Sequence, residues 1–148
     1  MYVVHQESSV ALPPADAFRL FTEGMGSWWP TNEGYAFGGE RTRETTLEPW
    51  VGGRLYERFH DGDELQVGRV LACDPPDRIV FTWAGPSWLG ETEVEVSFEP
   101  VETGTRIRLE HRGFERLGDD AERRAQQYGG GWPFVLGRFE TRAAAEVG

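Results

Sequence analysis

Three short strand patterns follow one another between residues 47 and 83. They are separated by the turn signals Gly52-Gly53, Asp61-Gly62 and Asp74-Pro75-Pro76. Asp-Gly provides the backbone conformations of tight hairpin connections, and proline ends a strand because it has no N–H for the ladder. The pattern predicts a meander of antiparallel strands. Its recurring aromatic residues, which favour a sheet that wraps around something, are Trp50, Tyr56, Phe59, Phe81 and Trp83.

A single register satisfies both faces of the next predicted hairpin, over residues 93–112. Setting Phe98 opposite Ile107 brings apolar side chains together on one face and pairs glutamate with arginine on the other. The pairs in this register are Phe98–Ile107, Val96–Leu109, Val94–His111, Glu99–Arg106 and Glu93–Arg112. The apolar face is therefore predicted to form an interior wall, and His111 lies on it.

Helical patterns appear near both ends of the chain. A first strand over Tyr2 to Leu12 is followed by Pro14 at a helix start and by apolar residues at 17–21. A second helical pattern covers Asp119 to Tyr128. It is followed to about residue 146 by an apolar stripe at i, i+3, i+4 and i+7, formed by Trp132, Val135, Leu136 and Phe139. The predicted order is strand, two short helices, six strands and a long helix.

Gly129-Gly130-Gly131 and Pro133 fall between these two helical patterns. Each glycine inside a helix costs about 1 kcal/mol relative to alanine, and proline costs more. The run therefore predicts a kink or a short gap in the final helix.

Composition narrows the classes of function. The 148 residues predict one domain, 1–148, and a net charge of −10 argues against partners such as nucleic acid or an anionic membrane surface. No window is apolar enough for a transmembrane helix, so we expect a cytoplasmic protein. Cys73 is the single cysteine, and the three histidines show no ligand spacing, so we expect no metal and no cofactor.

The turn and strand motifs resemble those of the SRPBCC (START-like, Bet v 1-like) superfamily, and most closely its AHSA1-like branch. The resemblance covers nearly the whole chain. It is carried by Leu47-Glu48-Pro49, Gly52-Gly53-Arg54, Glu57-Arg58, Asp61-Gly62, Gly68-Arg69-Val70, Asp74-Pro75-Pro76, Val80-Phe81-Thr82-Trp83, Trp28-Trp29 and Gly131-Trp132. It implies an α+β helix-grip fold, in which a curved seven-stranded antiparallel sheet surrounds a long C-terminal helix. It also implies a cavity between sheet and helix for small apolar or amphipathic ligands, with no shared set of catalytic residues.

Ligand-binding candidates share a bulky side chain that we expect to face this cavity. For each one the alternative is that it fills the core, but for the group we favour a cavity because a sheet curved around a helix leaves interior volume. A tryptophan also brings an N–H donor that can orient a polar ligand atom. The candidates are Trp28, Trp29, Phe59, Phe81, Trp83, Phe98, Leu109, His111, Trp132 and Leu136.

Two residues are candidates for acid–base chemistry. His111 has an ordinary pKa near neutrality, and its alternative role is a buried histidine with an internal hydrogen bond. Glu57, flanked by Leu55 and Phe59, would face Gln66 if the Asp61-Gly62 turn has two residues, and its alternative is a cross-strand hydrogen bond or an exposed position. The pattern does not decide which face of this hairpin is concave.

Three hypotheses for function follow. The first is a binding protein for a small hydrophobic molecule, because the aromatic-rich interior lacks a catalytic motif. The second is an enzyme, cyclase-like or hydrolase-like, that uses the same cavity with His111 or Glu57. The third is a protein that interacts with an Hsp90-type chaperone, suggested by the family name alone. Exposed strand edges and Trp88 also offer a surface for a homodimer.

Overall fold

The computed structural model describes residues 2–147. In chain order the strands and helices are β1 (Val4–Val10), α1 (Pro14–Phe21), β2 (Thr42–Leu47), β3 (Arg54–Phe59), β4 (Glu64–Asp74), β5 (Arg78–Trp83), β6 (Thr92–Val101), β7 (Gly104–Arg112) and α2 (Ala121–Val147). Short 3₁₀ segments lie at Met25–Ser27, Thr31–Glu33, Gly39–Arg41 and Phe114–Asp120. The predicted order of elements is confirmed. Among the described helices, none is both long and apolar enough to cross a membrane.

All seven strands form one antiparallel sheet in the order β1-β7-β6-β5-β4-β3-β2. The sheet curls into a half-barrel with α2 on its concave side, which confirms the predicted fold class. The β6–β7 pairing has the predicted register, with Phe98 opposite Ile107 and Glu93 opposite Arg112.

The β3–β4 hairpin differs from its prediction by one residue. The Phe59 N–H donates to the Asp63 carbonyl at 2.8 Å, and Gly62 has a φ of +94°, so the loop has three residues rather than two. Glu57 therefore lies opposite Leu65, and the predicted pairing with Gln66 was wrong. Leu55, Glu57 and Phe59 are buried on the concave face.

Helix α2 is continuous through the glycine run, so the predicted gap was wrong, whereas the alternative of a kink stays a prediction. The buried side chains of Trp132, Leu136 and Phe139 hold this part of the helix against the sheet, and their burial offsets the cost of the glycines. Gly129 also precedes Pro133 by four residues, where the proline ring crowds the carbonyl, and glycine tolerates the necessary backbone adjustment best.

Candidate functional site

A partly open cleft of about 310 Å³ lies between α2, the end of β5 and the loop that precedes β2. Ligand pockets in proteins start at about 300 Å³, so the cleft suits a small molecule. Half of the residues that line it are aromatic: Trp29, Tyr35, Phe37, Trp83, Tyr128 and Trp132. Helix α2 adds Arg124, Gln127, Gly131 and Val135, and the loop adds Gly34 and Ala36.

Three indole rings lie together at the base of the cleft. The ring centroids of Trp29, Trp83 and Trp132 are 5.7–6.2 Å apart. Their N–H groups donate to the Tyr35 carbonyl at 2.9 Å, the Tyr128 hydroxyl at 2.9 Å and His111 Nδ1 at 3.0 Å. These donors are already used inside the protein, so the indoles offer a ligand their faces and edges rather than a hydrogen bond.

His111 contacts Trp132 and belongs to a buried chain of hydrogen bonds that runs from Trp132 to the Trp83 carbonyl. Because Trp132 donates to Nδ1, the hydrogen of the neutral ring is on Nε2, which contacts Thr92 Oγ1 at 2.8 Å. The Thr92 hydroxyl donates onward to the Trp83 carbonyl at 2.7 Å. Burial lowers the pKa of His111 to about 3. The ring is therefore neutral with both nitrogens occupied, which matches the structural alternative given for it above.

Glu57 is buried and holds one wall of the cleft in place. Its carboxylate accepts hydrogen bonds from the Phe37 N–H at 2.6 Å, the Gly38 N–H at 2.8 Å and Thr42 Oγ1 at 3.0 Å. Three donors satisfy a carboxylate that has no cationic partner within ion-pair distance among the described residues. Glu57 does not line the cleft itself but fixes the loop that presents Phe37.

Tyr128 and Arg124 supply polar groups on the helix side of the cleft. The Tyr128 hydroxyl accepts from Trp83, and no described residue accepts the hydrogen of that hydroxyl. Burial raises the pKa of Tyr128 to about 12, so the hydroxyl stays protonated near neutral pH. The Arg124 guanidinium lies 5.0 Å from the centre of the Trp88 ring, and its Nη1 donates to Gln127 Oε1 at 3.0 Å.

The loop wall is also attached to α2 at the surface. The Tyr35 ring stacks on Phe134, with centroids 5.1 Å apart and planes 11° from parallel. Glu33 accepts two hydrogen bonds from Arg138, at 2.8 and 2.6 Å. These hydrogen bonds lower the pKa of Glu33. The loop is thus held by hydrogen bonds to the buried Glu57 and by two surface contacts with α2, the Tyr35–Phe134 stack and the Glu33–Arg138 ion pair.

The candidate residues divide into two groups. Trp29, Trp83 and Trp132 line the cleft, and His111 supports Trp132. The other candidates are buried and are not among the cleft-lining residues, namely Trp28, Phe59, Phe81, Phe98, Leu109 and Leu136. A binding role for any of them stays a prediction.

Sequence reasoning missed Tyr35, Phe37, Arg124 and Tyr128. A signal for the last two was present, because cleft residues on α2 follow helical spacing through the glycine run. These residues are Arg124, Gln127, Tyr128, Gly131, Trp132 and Val135, at i, i+3, i+4, i+7, i+8 and i+11. Dividing the helix at residue 129 hid this shared face.

Among residues 2–147, no three His, Cys, Asp or Glu side chains are grouped so that they could hold a metal ion. The single Cys73 contacts the Pro49 carbonyl, and burial raises the pKa of its thiol.

Comparison with known proteins places the chain in a family. The family described as "Activator of Hsp90 ATPase homolog 1-like protein" matches residues 11–144. This chain belongs to the AHSA1 family. No curated protein matches it.

Solved structures share the fold of this AHSA1-family protein over almost its whole length. The anthrahydroquino-γ-pyrone synthase Txn09 is 33% identical, with a TM-score of 0.64 over 95% of this chain and 96% of the synthase. A protein from Rhodobacter sphaeroides is 21% identical, with a TM-score of 0.71 over 97% of this chain and 93% of that one. DynU16, from the dynemicin biosynthetic locus, is 19% identical, with a TM-score of 0.69 over 95% of this chain and 46% of its own.

Proposed function

We propose that this AHSA1-family protein binds a small, planar aromatic molecule in the cleft between α2, the end of β5 and the loop before β2. The observation that carries the proposal is the set of six aromatic side chains around a space of about 310 Å³. Aromatic rings interact favourably with other rings in offset or edge-to-face contacts, so such walls select a flat, unsaturated ligand over a flexible chain.

The chemistry named for a relative supports the same ligand class. Txn09 is named as a synthase of an anthrahydroquino-γ-pyrone, which is a fused aromatic compound, and it is 33% identical over nearly the whole chain. The small residues Gly34, Ala36 and Gly131 also line the cleft and leave the space between the rings open.

A pair of glycine variants tests the proposal. A Cβ on Gly131 would lie 3.3 Å from Tyr35 Cε1, whereas a Cβ on Gly130 would meet nothing within 4 Å. Gly131→Leu therefore places a side chain in the cleft, and Gly130→Leu provides the matched change on the neighbouring residue. Both variants gain helix propensity, so both should fold.

β-Naphthamide, a neutral two-ring probe, is titrated by calorimetry against the wild type and both variants. We expect saturable binding to the wild type and to Gly130→Leu, and at least about tenfold weaker binding to Gly131→Leu, which is about 1.4 kcal/mol. Absence of binding to the wild type, or equal binding to all three proteins, would contradict the proposal.

A second candidate function is catalysis of ring closure in the same cleft. It is favoured by the identity to Txn09, together with the hydroxyl of Tyr128, whose hydrogen has no acceptor among the described residues. A protonated Tyr128 can donate a hydrogen bond to a ketone oxygen while negative charge develops there. His111 is poorly suited to this task because both of its nitrogens are occupied.

An ortho-hydroxyphenyl β-diketone is a direct test of this second function. Its phenol oxygen bonds to the distal carbonyl carbon, and loss of water gives a chromone, which is a γ-pyrone. We expect acceleration by the wild type and a loss of about tenfold to a hundredfold in Tyr128→Phe. Tyr56→Phe, on the opposite side of the sheet, is the control. No acceleration by the wild type, or equal rates in wild type and Tyr128→Phe, would argue against this function.

A further inference from the structure

We propose that the cleft recognises a carboxylate on its aromatic ligand, bound by the Arg124 guanidinium with the Tyr128 hydroxyl as a second donor. This inference rests on the proposed binding function and specifies the chemical class of the ligand.

Arg124 is the only charged residue among the described residues that line the cleft. The protein as a whole carries a net charge of −10, so its surface repels anions at long range. The cleft thus presents a single cation in an otherwise uncharged aromatic wall, on a protein whose net charge is −10.

Arg124 also differs from most other arginines in its partners. Thirteen of the fifteen arginines have a carboxylate oxygen of a described residue within 4.0 Å; Arg43 and Arg124 do not. The guanidinium of Arg124 has neutral neighbours instead, the amide of Gln127 and the face of Trp88. Its charge is therefore available to an anionic ligand. A guanidinium presents paired N–H groups that match the two oxygens of a carboxylate.

Tyr128 adds a donor one helical turn further along α2. Its hydroxyl is fixed by the hydrogen bond from Trp83, and its proton is retained because burial raises its pKa to about 12. The Glu57 carboxylate, whose charge also acts on Tyr128, already accepts from three donors behind the loop wall. The polar side of the cleft thus presents a cation and a hydroxyl donor to a ligand, and no acidic side chain lines it among the described residues.

Two probes of the same shape test the inference. β-Naphthoate carries the carboxylate, and β-naphthamide replaces it with a neutral amide. Arg124→Gln removes the charge in the cleft, and Arg43→Gln removes the other arginine without a carboxylate partner, which is exposed on β2. The two variants have the same net charge. A difference in their binding of the probes therefore comes from the position of the lost arginine and not from the total charge.

We expect the wild type and Arg43→Gln to bind β-naphthoate about tenfold more tightly than β-naphthamide, since hydrogen bonds to charged groups contribute more than neutral ones. In Arg124→Gln this preference should disappear, because β-naphthoate binding weakens about tenfold more than β-naphthamide binding does. Added salt should weaken β-naphthoate binding to the wild type and leave β-naphthamide binding constant.

The outcomes separate this inference from the binding function on which it rests. Equal binding of both probes to the wild type would overturn carboxylate recognition and leave the aromatic cleft intact. A uniform loss of both probes in Arg124→Gln would assign Arg124 a structural role and also overturn the inference. If neither probe binds the wild type, the proposed function itself fails.

Discussion

The two ends of the aromatic interior contain similar residues, but one end is filled and the other surrounds a cleft. At the packed end, Phe18, Phe21, Trp28, Phe98 and Phe139 contact one another with ring centroids 5.1–5.7 Å apart and fill the space between α1, β6 and α2. At the cleft end, three indoles and their neighbours surround a space of about 310 Å³. Aromatic content alone therefore does not distinguish a core from a binding site.

Small residues help to keep the cleft end open. Gly34, Ala36 and Gly131 lie among the rings of the cleft wall, whereas the rings of the packed end contact one another directly. The rings at the cleft end also carry polar atoms that are hydrogen-bonded to one another, as in the pair Trp83–Tyr128. Such bonds hold rings at fixed positions without requiring that the space between them be filled.

The largest effect should come from truncation at the packed end. Phe21 is fully buried and contacts Trp28, Phe98 and Phe139, so Phe21→Ala should lower the free energy of unfolding by about 3–5 kcal/mol. Tyr35→Ala, at the half-buried cleft wall, should cost only about 1 kcal/mol. Urea denaturation measures both. Equal costs would break the distinction between a filled end and an open end.

The predictability of these regions differs for physical reasons. The β6–β7 register followed from sequence because both faces of an unbroken alternation demanded the same pairing. The β3–β4 register was missed because Gly62 adopts a left-handed conformation at the end of a three-residue loop, which the dipeptide Asp61-Gly62 does not distinguish from a two-residue turn.

Helix α2 shows where local preference fails. Three glycines and a proline favour an interruption, but Trp132, Leu136 and Phe139 are each buried against the sheet and keep the helix continuous. The fold and three cleft-lining residues, Trp29, Trp83 and Trp132, could be predicted from the sequence. The loop residues Tyr35 and Phe37 could not be placed, since their position depends on the long-range hydrogen bonds from Phe37 and Gly38 to Glu57.

An intermediate effect should appear in the dependence of stability on pH, because His111 is fully buried behind the cleft, where Trp132 donates a hydrogen bond to it. Its pKa is about 3 in the folded protein and about 6.5 when unfolded, so between these values the unfolded chain binds one more proton. Unfolding is then favoured as the pH falls, and this residue should remove about 2 kcal/mol of stability between pH 7 and pH 5.

The variant His111→Gln isolates this contribution from that of the carboxylates. Its stability, measured by urea denaturation at each pH, should decline less steeply with acidification than that of the wild type. His60→Gln, at an exposed position, is the matched control substitution. Identical slopes for all three proteins would show that His111 is not buried in its neutral form and that water reaches it at the cleft end.

The smallest effect should come from the exposed contacts that attach the loop wall to α2. Glu33 and Arg138 form a two-point ion pair, but both are solvent-exposed, so Arg138→Gln should leave global stability unchanged within error. Local opening of the loop should become more frequent, because the Tyr35–Phe134 stack and the hydrogen bonds to Glu57 then hold it without the ion pair. Hydrogen exchange at the amides of Phe37 and Gly38 reports this opening directly, since both donate to Glu57. Arg142→Gln, which removes a different exposed pair on the same helix, should leave these amides unaffected. If exchange is equally slow in both variants, the Glu33–Arg138 ion pair does not hold the wall, and the difference between the two ends of the interior is one of packing rather than of mobility.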